Sequence, residues 1–310
     1  MGRDTAARIR AAAPEDFTPA ADLLVADELD DSGEVVLGPE FLRAKWERAG
    51  FDPATDAWVA IDPAGALVAY GHAALEEPTV VDSWGIVHPE HRGRGIGSAL
   101  LDRIERRAVA MLDGVSRGRF RHAINAADRG AAGMLEARGL HPFRHFWHMR
   151  IDVDQGSEAG EEPVRIGIRG VDPDGDLPAI HAVLVEAFAD DPGHAVAPFE
   201  RWVAEEAGGS SFDPSLWLIA EDGTKIVGVL TASDFVDRGW VDYLGVLPDA
   251  RGRGVGAALL RRSFATFAGR GIPTVFLNVD AENVTGATAL YERVGMRVAK
   301  RWDLWERSIS

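Results

Sequence analysis

Two stretches of the chain carry the same set of residues, and that set is suited to holding an anion. Residues 87–97 read VHPEHRGRGIG and residues 246–256 read VLPDARGRGVG. Seven of the eleven positions are identical, too many for coincidence in so short a run. In each, an apolar strand-like run ends at Val87 or Val246, a proline follows, and Arg-Gly-Arg-Gly-x-Gly leads into a helix-like run. Glycines there permit backbone conformations closed to other residues and let a ligand approach the main chain. A helix opening at that point leaves its first amides without partners, and its dipole adds partial positive charge. Together these make a site for a pyrophosphate. Arg92, Arg94, Arg251 and Arg253 add cationic donors.

Other phosphate motifs fit less well. No Gly-Lys-Ser/Thr follows, so neither stretch is a P-loop. Gly252, Gly254 and Ala257 satisfy a G-x-G-x-x-A pattern with Asp280 further on, which is a weak dinucleotide fingerprint. A dinucleotide fold would open with a parallel βαβ unit, whereas three antiparallel-type strands precede this turn.

Composition narrows the function classes. The chain has 310 residues, a formal net charge of −16 and no cysteine. Such a negative field argues against a nucleic-acid partner. Without cysteine there is no thiolate nucleophile, no disulfide framework and no Cys-ligated zinc. No run approaches the roughly 18 apolar residues of a membrane span. The N-terminal stretch has no apolar signal core, and a cytoplasmic protein is expected. His141, His145 and His148 cluster, but in a strand the last two point to opposite faces, so no metal site is expected.

The elements that position the two turns are themselves duplicated. LEARGL at 135–140 is echoed by YERVGM at 291–296, in the same order relative to the turns. This predicts two domains: 1–153 and 164–310, joined by the acidic, glycine-containing linker 154–163. Each half reads as a short strand, a helix, three antiparallel strands, the glycine turn with its helix, a strand, a helix and final strands. The strands expected before the turns are 57–61, 67–74 and 80–87 in one half, and 216–220, 226–233 and 240–246 in the other. The fold class is α+β: two mixed, largely antiparallel sheets with helices on their faces.

Both turns resemble motif A of the GNAT superfamily of acyl-CoA N-acyltransferases, once per half. The second half also carries NVDAENVTGATALYERVGM at 278–296, similar to the family's N-x-x-A-x-x-L-Y-x-x-x-G signature, with Gly286 where alanine is commoner. The resemblance implies acetyl-CoA as co-substrate, with its diphosphate on the amides of Arg251, Gly252, Arg253, Gly254, Val255, Gly256 and Ala257. It implies a pantetheine arm along Leu244 and Val246, with the Leu244 amide near the thioester carbonyl, and Asn283 bonded to that arm. Tyr291 would protonate the leaving thiolate or hold it by a hydrogen bond, a role that suits a neutral phenol.

Such families often place a base four or six residues before the valine. Asp242 holds the first position and Trp240 the second. Strand alternation puts Trp240, Asp242 and Leu244 on one face. Asp242 is the candidate base, provided burial raises its pKa; the alternative is a carboxylate that orients substrate or structure. In the first half Leu135 replaces the tyrosine, Ala127 the asparagine and Ser83 the aspartate, with Asp82 on the opposite face. That half is expected to be catalytically silent. Its turn is intact through Val87, Arg92, Gly93, Arg94, Gly95 and Gly97, so it either binds CoA or walls the acceptor pocket. The implied reaction is acetyl transfer to a primary amine, small-molecule or peptide, by direct attack. The alternatives are acetylation of a cysteinyl amino sugar and a non-catalytic acyl-CoA sensor. Oligomeric state cannot be read from these residues.

Overall fold

The computed structural model describes residues 7–154, 165–189, 196–208, 212–235, 237–282 and 286–309. Nearly all of the expected linker, and Asn283, lie outside the described residues. The chain forms two compact units: residues 1–146 with Lys300–Ser310, and Trp147–Ala299.

In the first unit β1 (Arg8–Ala11) is followed by α1 (Phe17–Ser32), α2 (Pro39–Trp46) and α3 (Pro53–Asp56). Then come β2 (Ala57–Ile61), β3 (Leu67–Glu77), β4 (Val80–Val87), α4 (Ile96–Met111), β5 (Gly118–Asn125), α5 (Arg129–Glu136) and β6 (His141–Asp152). The second unit repeats the plan with β7 (Ile166–Gly170), α6 (Leu177–Ala187), α7 (Phe199–Trp202), β8 (Leu218–Asp222), β9 (Lys225–Asp234) and β10 (Gly239–Val246). It continues with α8 (Val255–Gly269), β11 (Thr274–Asp280), α9 (Ala287–Arg293) and β12 (Arg297–Ile309). In each unit antiparallel strands run in order up to β4 or β10, and β5 or β11 then adds in parallel.

The sequence boundary puts residues 300–309 in the second domain, whereas the structure groups them with the first. Trp302–Ile309 of β12 pair antiparallel with Asn125–Gly118 of β5, and Trp305 and Ile309 join the first unit's core. Conversely Trp147–Asp152, from the end of β6, belong to the second unit, where Met149 is fully buried.

One local device recurs in both units. Arg10 on β1 grips Asp16 at 2.5 and 2.7 Å, and Asp16 also accepts from the Ala13 amide. Arg169 on β7 grips Asp176 at 2.5 and 3.0 Å, and Asp176 accepts from the Asp172 amide. Each aspartate precedes the first long helix, so one carboxylate satisfies an exposed amide and ties that helix to the edge strand. Arg169 in turn holds Asp176 below its usual pKa, chiefly through the direct hydrogen bond.

The helices after the glycine turns are built to bury one face. Ile96, Leu100, Leu101, Ile104 and Ala108 of α4 are buried, and α8 buries Val255, Leu259, Leu260, Phe264 and Phe267. These side chains recur every three to four residues and lie on the sheet. Small residues on the facing strands set the approach. A Cβ on Gly228 would stand 2.9 Å from Val255, and one on Gly239 would strike the Phe267 ring at 2.6 Å.

Candidate active site

In the second unit the parallel pairing of β10 with β11 covers Gly239↔Val275, Trp240↔Phe276 and Val241↔Leu277. Past Val241 the two strands are no longer paired, and β10 runs on through Leu244 to Val246 paired with β9 on its other side. Main-chain groups of β10 are thereby left open to a ligand lying in the fork.

The turn beyond Val246 is shaped by left-handed glycines. Gly252 has φ +72° and Gly254 φ +83°, a region that L-residues avoid. Gly254 opens α8 with no side-chain cap, and no acidic residue occupies the first turn. Among the described residues no side chain caps the first amides of this fifteen-residue helix, which suits a diphosphate. Val255 and Ala257 turn their side chains into the protein, and Gly256 lets Leu290 of α9 approach to where a Cβ would stand at 3.0 Å. What these three can offer a ligand is main chain. Arg251 donates to the Val246 and Ala187 carbonyls, and Arg253 pairs with Asp222 at 2.8 Å.

Asp242 stands at a bulge, and this corrects the strand count. The register with β9 runs Val241↔Ala232 and then Tyr243↔Thr231, so Asp242 is the extra residue. Trp240, Tyr243 and Gly245 therefore share the face toward α6, where Phe188 meets Tyr243 edge-on. Leu244 and Val246 share the opposite face, against Gly256 of α8. Asp242 reaches Ser233 Oγ at 2.8 Å, and Ser233 pairs with Trp240, so the carboxyl lies on the α6 face. Leu244 and Trp240 do not share a face as uninterrupted alternation predicts.

Burial pushes the Asp242 carboxyl up to about 8, aided by the nearby Glu206 charge and opposed by the Ser233 hydrogen bond. Glu206 sits on a π-helical turn, Val203–Ala207, directly after α7. Burial and Glu205 raise Glu206 to about 7, while the Tyr243 phenol, donating to it, pulls it down. The same surroundings push the Tyr243 phenol up, burial first. Among the described residues neither Asp242 nor Glu206 is paired with a cation. Tyr291 of α9 is 8% exposed, and burial raises its phenol to about 12, so it is protonated at neutral pH.

Two comparisons bear directly on this geometry. Residues 178–296 match the acetyltransferase (GNAT) family and residues 53–138 the acetyltransferase (GNAT) domain. The mycothiol acetyltransferase of Beutenbergia cavernae is 33% identical over 252 residues, 76% of this chain and 78% of that protein. The chain belongs to the GNAT acetyltransferase family. A mycothiol acetyltransferase of Streptomyces bingchenggensis is 34% identical over 243 residues, 76% of this chain and 75% of its own. Among solved structures, a GCN5-related N-acetyltransferase from Sphaerobacter thermophilus matches at TM-score 0.82 and 32% identity, over 97% of this chain and 95% of that one. A tandem GNAT protein from the clavulanic acid biosynthesis pathway shares the fold at TM-score 0.70 and 16% identity, over 97% and 98%. The protein is a tandem GNAT acetyltransferase that draws its acyl group from a CoA thioester.

The first GNAT unit has the same frame with other side chains. Pairing of β4 with β5 stops at Trp84↔Ala123, while β4 continues to Val87. Gly93 and Gly95 have φ +73° and +80°, and α4 opens uncapped at Gly95. Arg92, however, is bound by Asp27 at 2.7 Å and Asp30 at 3.0 Å, with Asp31 at 3.8 Å. Among the described residues Arg94 donates only to the Glu90 carbonyl. No bulge interrupts β4 between Val81 and Val87, so Asp82, Trp84 and Ile86 share the α1 face. Asp82 thus lies on the face that corresponds to that of Asp242, because the second strand bulges and the first does not. The α1 face is packed with aromatic rings: Trp84 with Phe41 and Tyr70, and Trp46 with Phe17 and Tyr70. Leu135, in the tyrosine's place, is fully buried.

Several residues of the site carry no signal in the sequence. Glu206 lies in a π turn, which has no sequence signature, and Ser233 and Tyr243 become neighbours of Asp242 only through the bulge. Of the three clustered histidines, His145 pairs with Asp303 at 2.8 Å and His148 meets the Trp240 ring edge-on.

Proposed function

We propose that acetyl transfer to a primary amine takes place in the second unit. The amides from Arg251 to Ala257 hold the CoA diphosphate, and the open edge of β10 at Leu244 and Val246 takes the pantetheine arm, joined by Asn283. The thioester supplies an activated acetyl carbonyl. The amine enters from the α6 face and passes its proton to Asp242. A free amine then attacks the carbonyl directly, and the Leu244 amide steadies the developing oxyanion. Tyr291 gives its proton to the departing sulfur, and the second N–H proton, shed by the nitrogen once it has attacked, passes through solvent to the phenolate left behind. Of the two protons the ammonium loses, one ends on Asp242 and one balances the thiol.

The observation that best supports this reading is the Asp242 carboxyl, raised to about 8 on the one strand that also borders the fork and the uncapped turn. A carboxyl with that pKa is a far better match to an amine's proton than an ordinary aspartate. The first unit has Leu135 where Tyr291 stands, which supports a cofactor-binding but silent role for Val87, Arg92, Gly93, Arg94, Gly95 and Gly97. The likeness to mycothiol acetyltransferases supports a small amino-sugar amine as acceptor.

The test is CoA thiol release from acetyl-CoA with a panel of primary amines, a cysteinyl amino sugar among them. Wild type is expected to turn over at least one, and Asp242→Asn and Tyr291→Phe to lose most of that rate. Turnover on no amine despite CoA binding would replace this reading with an acyl-CoA sensor. A loss of turnover on replacing Gly95, but not on replacing Gly254, would move the chemistry to the first unit.

A further inference from the structure

The first unit contains a cleft of about 330 Å³ at the fork between β4 and β5. Gly93, Gly95 and Gly97 line it at the uncapped turn, and Leu101, Ile104 and His122 line it deeper along α4 and β5. His122 is only 5% exposed, and burial pushes its imidazole down to about 4, so the ring is neutral at physiological pH.

Ser83 decides which ring nitrogen carries the hydrogen. Its Oγ lies 2.7 Å from the Arg121 carbonyl oxygen and 2.7 Å from His122 Nδ1. A hydroxyl has one hydrogen, and a carbonyl can only accept. The hydroxyl hydrogen therefore goes to Arg121, and Nδ1 must donate to Oγ. Nε2 is left as a bare lone pair on a ring that lines the cleft, with no hydrogen-bond partner among the described residues.

We propose that the first cleft selects the free thiol of CoA over its thioester, with His122 Nε2 accepting the S–H hydrogen. This rests on the reading that the first cleft takes a CoA-type ligand. A thiol has a hydrogen to give. A thioester has none, and its carbonyl oxygen would meet the Nε2 lone pair with a lone pair of its own. The first unit is then a site for the spent co-substrate rather than a second catalytic centre.

The preference should be modest, because S–H is a weak donor: about 3- to 10-fold in Kd. Calorimetric titration of full-length Arg251→Glu, whose second turn repels the diphosphate, reads the first cleft. CoA is expected to bind more tightly than both acetyl-CoA and desulfo-CoA, and His122→Leu should level the three. Ser83→Ala, a smaller change, releases the tautomer and should shrink the preference even if His122→Leu folds poorly. Equal affinity for CoA and acetyl-CoA overturns the proposal, as does a preference that survives both variants. Desulfo-CoA binding as well as CoA would make the preference one of size, and also overturns it. Binding of neither form overturns it together with the reading of the first cleft. Turnover by wild-type enzyme judges the second unit's chemistry separately.

Discussion

Asp242 accepts a hydrogen bond from Ser233 Oγ at 2.8 Å across the bulge in β10, and this contact turns the carboxyl away from Leu244 and toward Tyr243 and Glu206. The carboxyl thereby occupies the α6 side of the strand, while Leu244 and Val246 face α8. Its pKa is set by burial and two neighbours with known signs: burial and Glu206 raise it, and Ser233 lowers it.

Those signs fix a pH profile. The base must be ionised, so kcat/KM should rise with pH through a limb near 8. Glu206→Gln removes a charge that holds the proton on, and should move the limb to lower pH. Ser233→Ala removes the bond that favours the anion, and should move it higher. Asp242→Asn should lose the limb and about 10²-fold in rate. Initial rates at saturating acetyl-CoA across pH 6 to 10 give the comparison. A limb that stays in place in both neighbours' variants would show that another group titrates.

The same pKa makes a stability statement. The folded state holds the Asp242 proton up to about 8, whereas the unfolded chain releases it near 3.8. Between those values the folded state binds more protons, so this group's contribution to stability falls as pH rises, and the loss is complete above about 8. Asp242→Asn has no proton to lose. The variant's Tm relative to wild type should therefore climb from about pH 4 to 8 and then level off. A difference that is flat over that window would contradict a raised carboxyl.

The sequence displays the duplicated turns, and with them the repeated strand–turn–helix units, because glycines in an anion-binding turn cannot be exchanged for other residues without strain. Asp242 was also within reach, since its spacing from Val246 survives. Its face was not, because a bulge adds one residue and nothing in WVDYLG marks where. The placement of β12 was hidden for a different reason. Which unit takes a terminal strand depends on partners far along the chain, here Gly118–Asn125, and a strand's own alternation does not name them. Glu206 was hidden because a single π turn is a local rearrangement with no periodic pattern.

Tyr291 should matter to chemistry and little to cofactor binding. Its buried phenol, raised to about 12, stays protonated across the working range. Tyr291→Phe keeps the ring in the core and removes only the donor. The expected result is a fall in kcat of about 10²-fold with the Kd for CoA within about 2-fold of wild type. Stopped-flow turnover beside calorimetry separates the two. A large loss of CoA affinity with normal kcat would make Tyr291 a binding residue.

The first unit depends on an ion pair carried in by the last strand. Lys300 Nζ lies 2.5 Å from Glu28 Oε1 and 3.2 Å from Asp31, and it sits over the Trp302 ring. Glu28 is 0% exposed, and its other oxygen accepts from the amides of Val36 and Leu37. Removing the lysine leaves a buried carboxylate without its cation, which typically costs about 3–5 kcal/mol. Glu28→Gln should cost less, because Lys300 retains Asp31 and the amide oxygen can still accept from the backbone. The pair Glu28→Gln with Lys300→Met should recover part of what Lys300→Met alone loses, since no uncompensated charge is then buried at Glu28. Urea unfolding of the three variants followed by tryptophan fluorescence measures the order. Lys300→Met as stable as wild type to within about 1 kcal/mol would mean that the strand is held by its apolar residues Trp302, Trp305 and Ile309 alone.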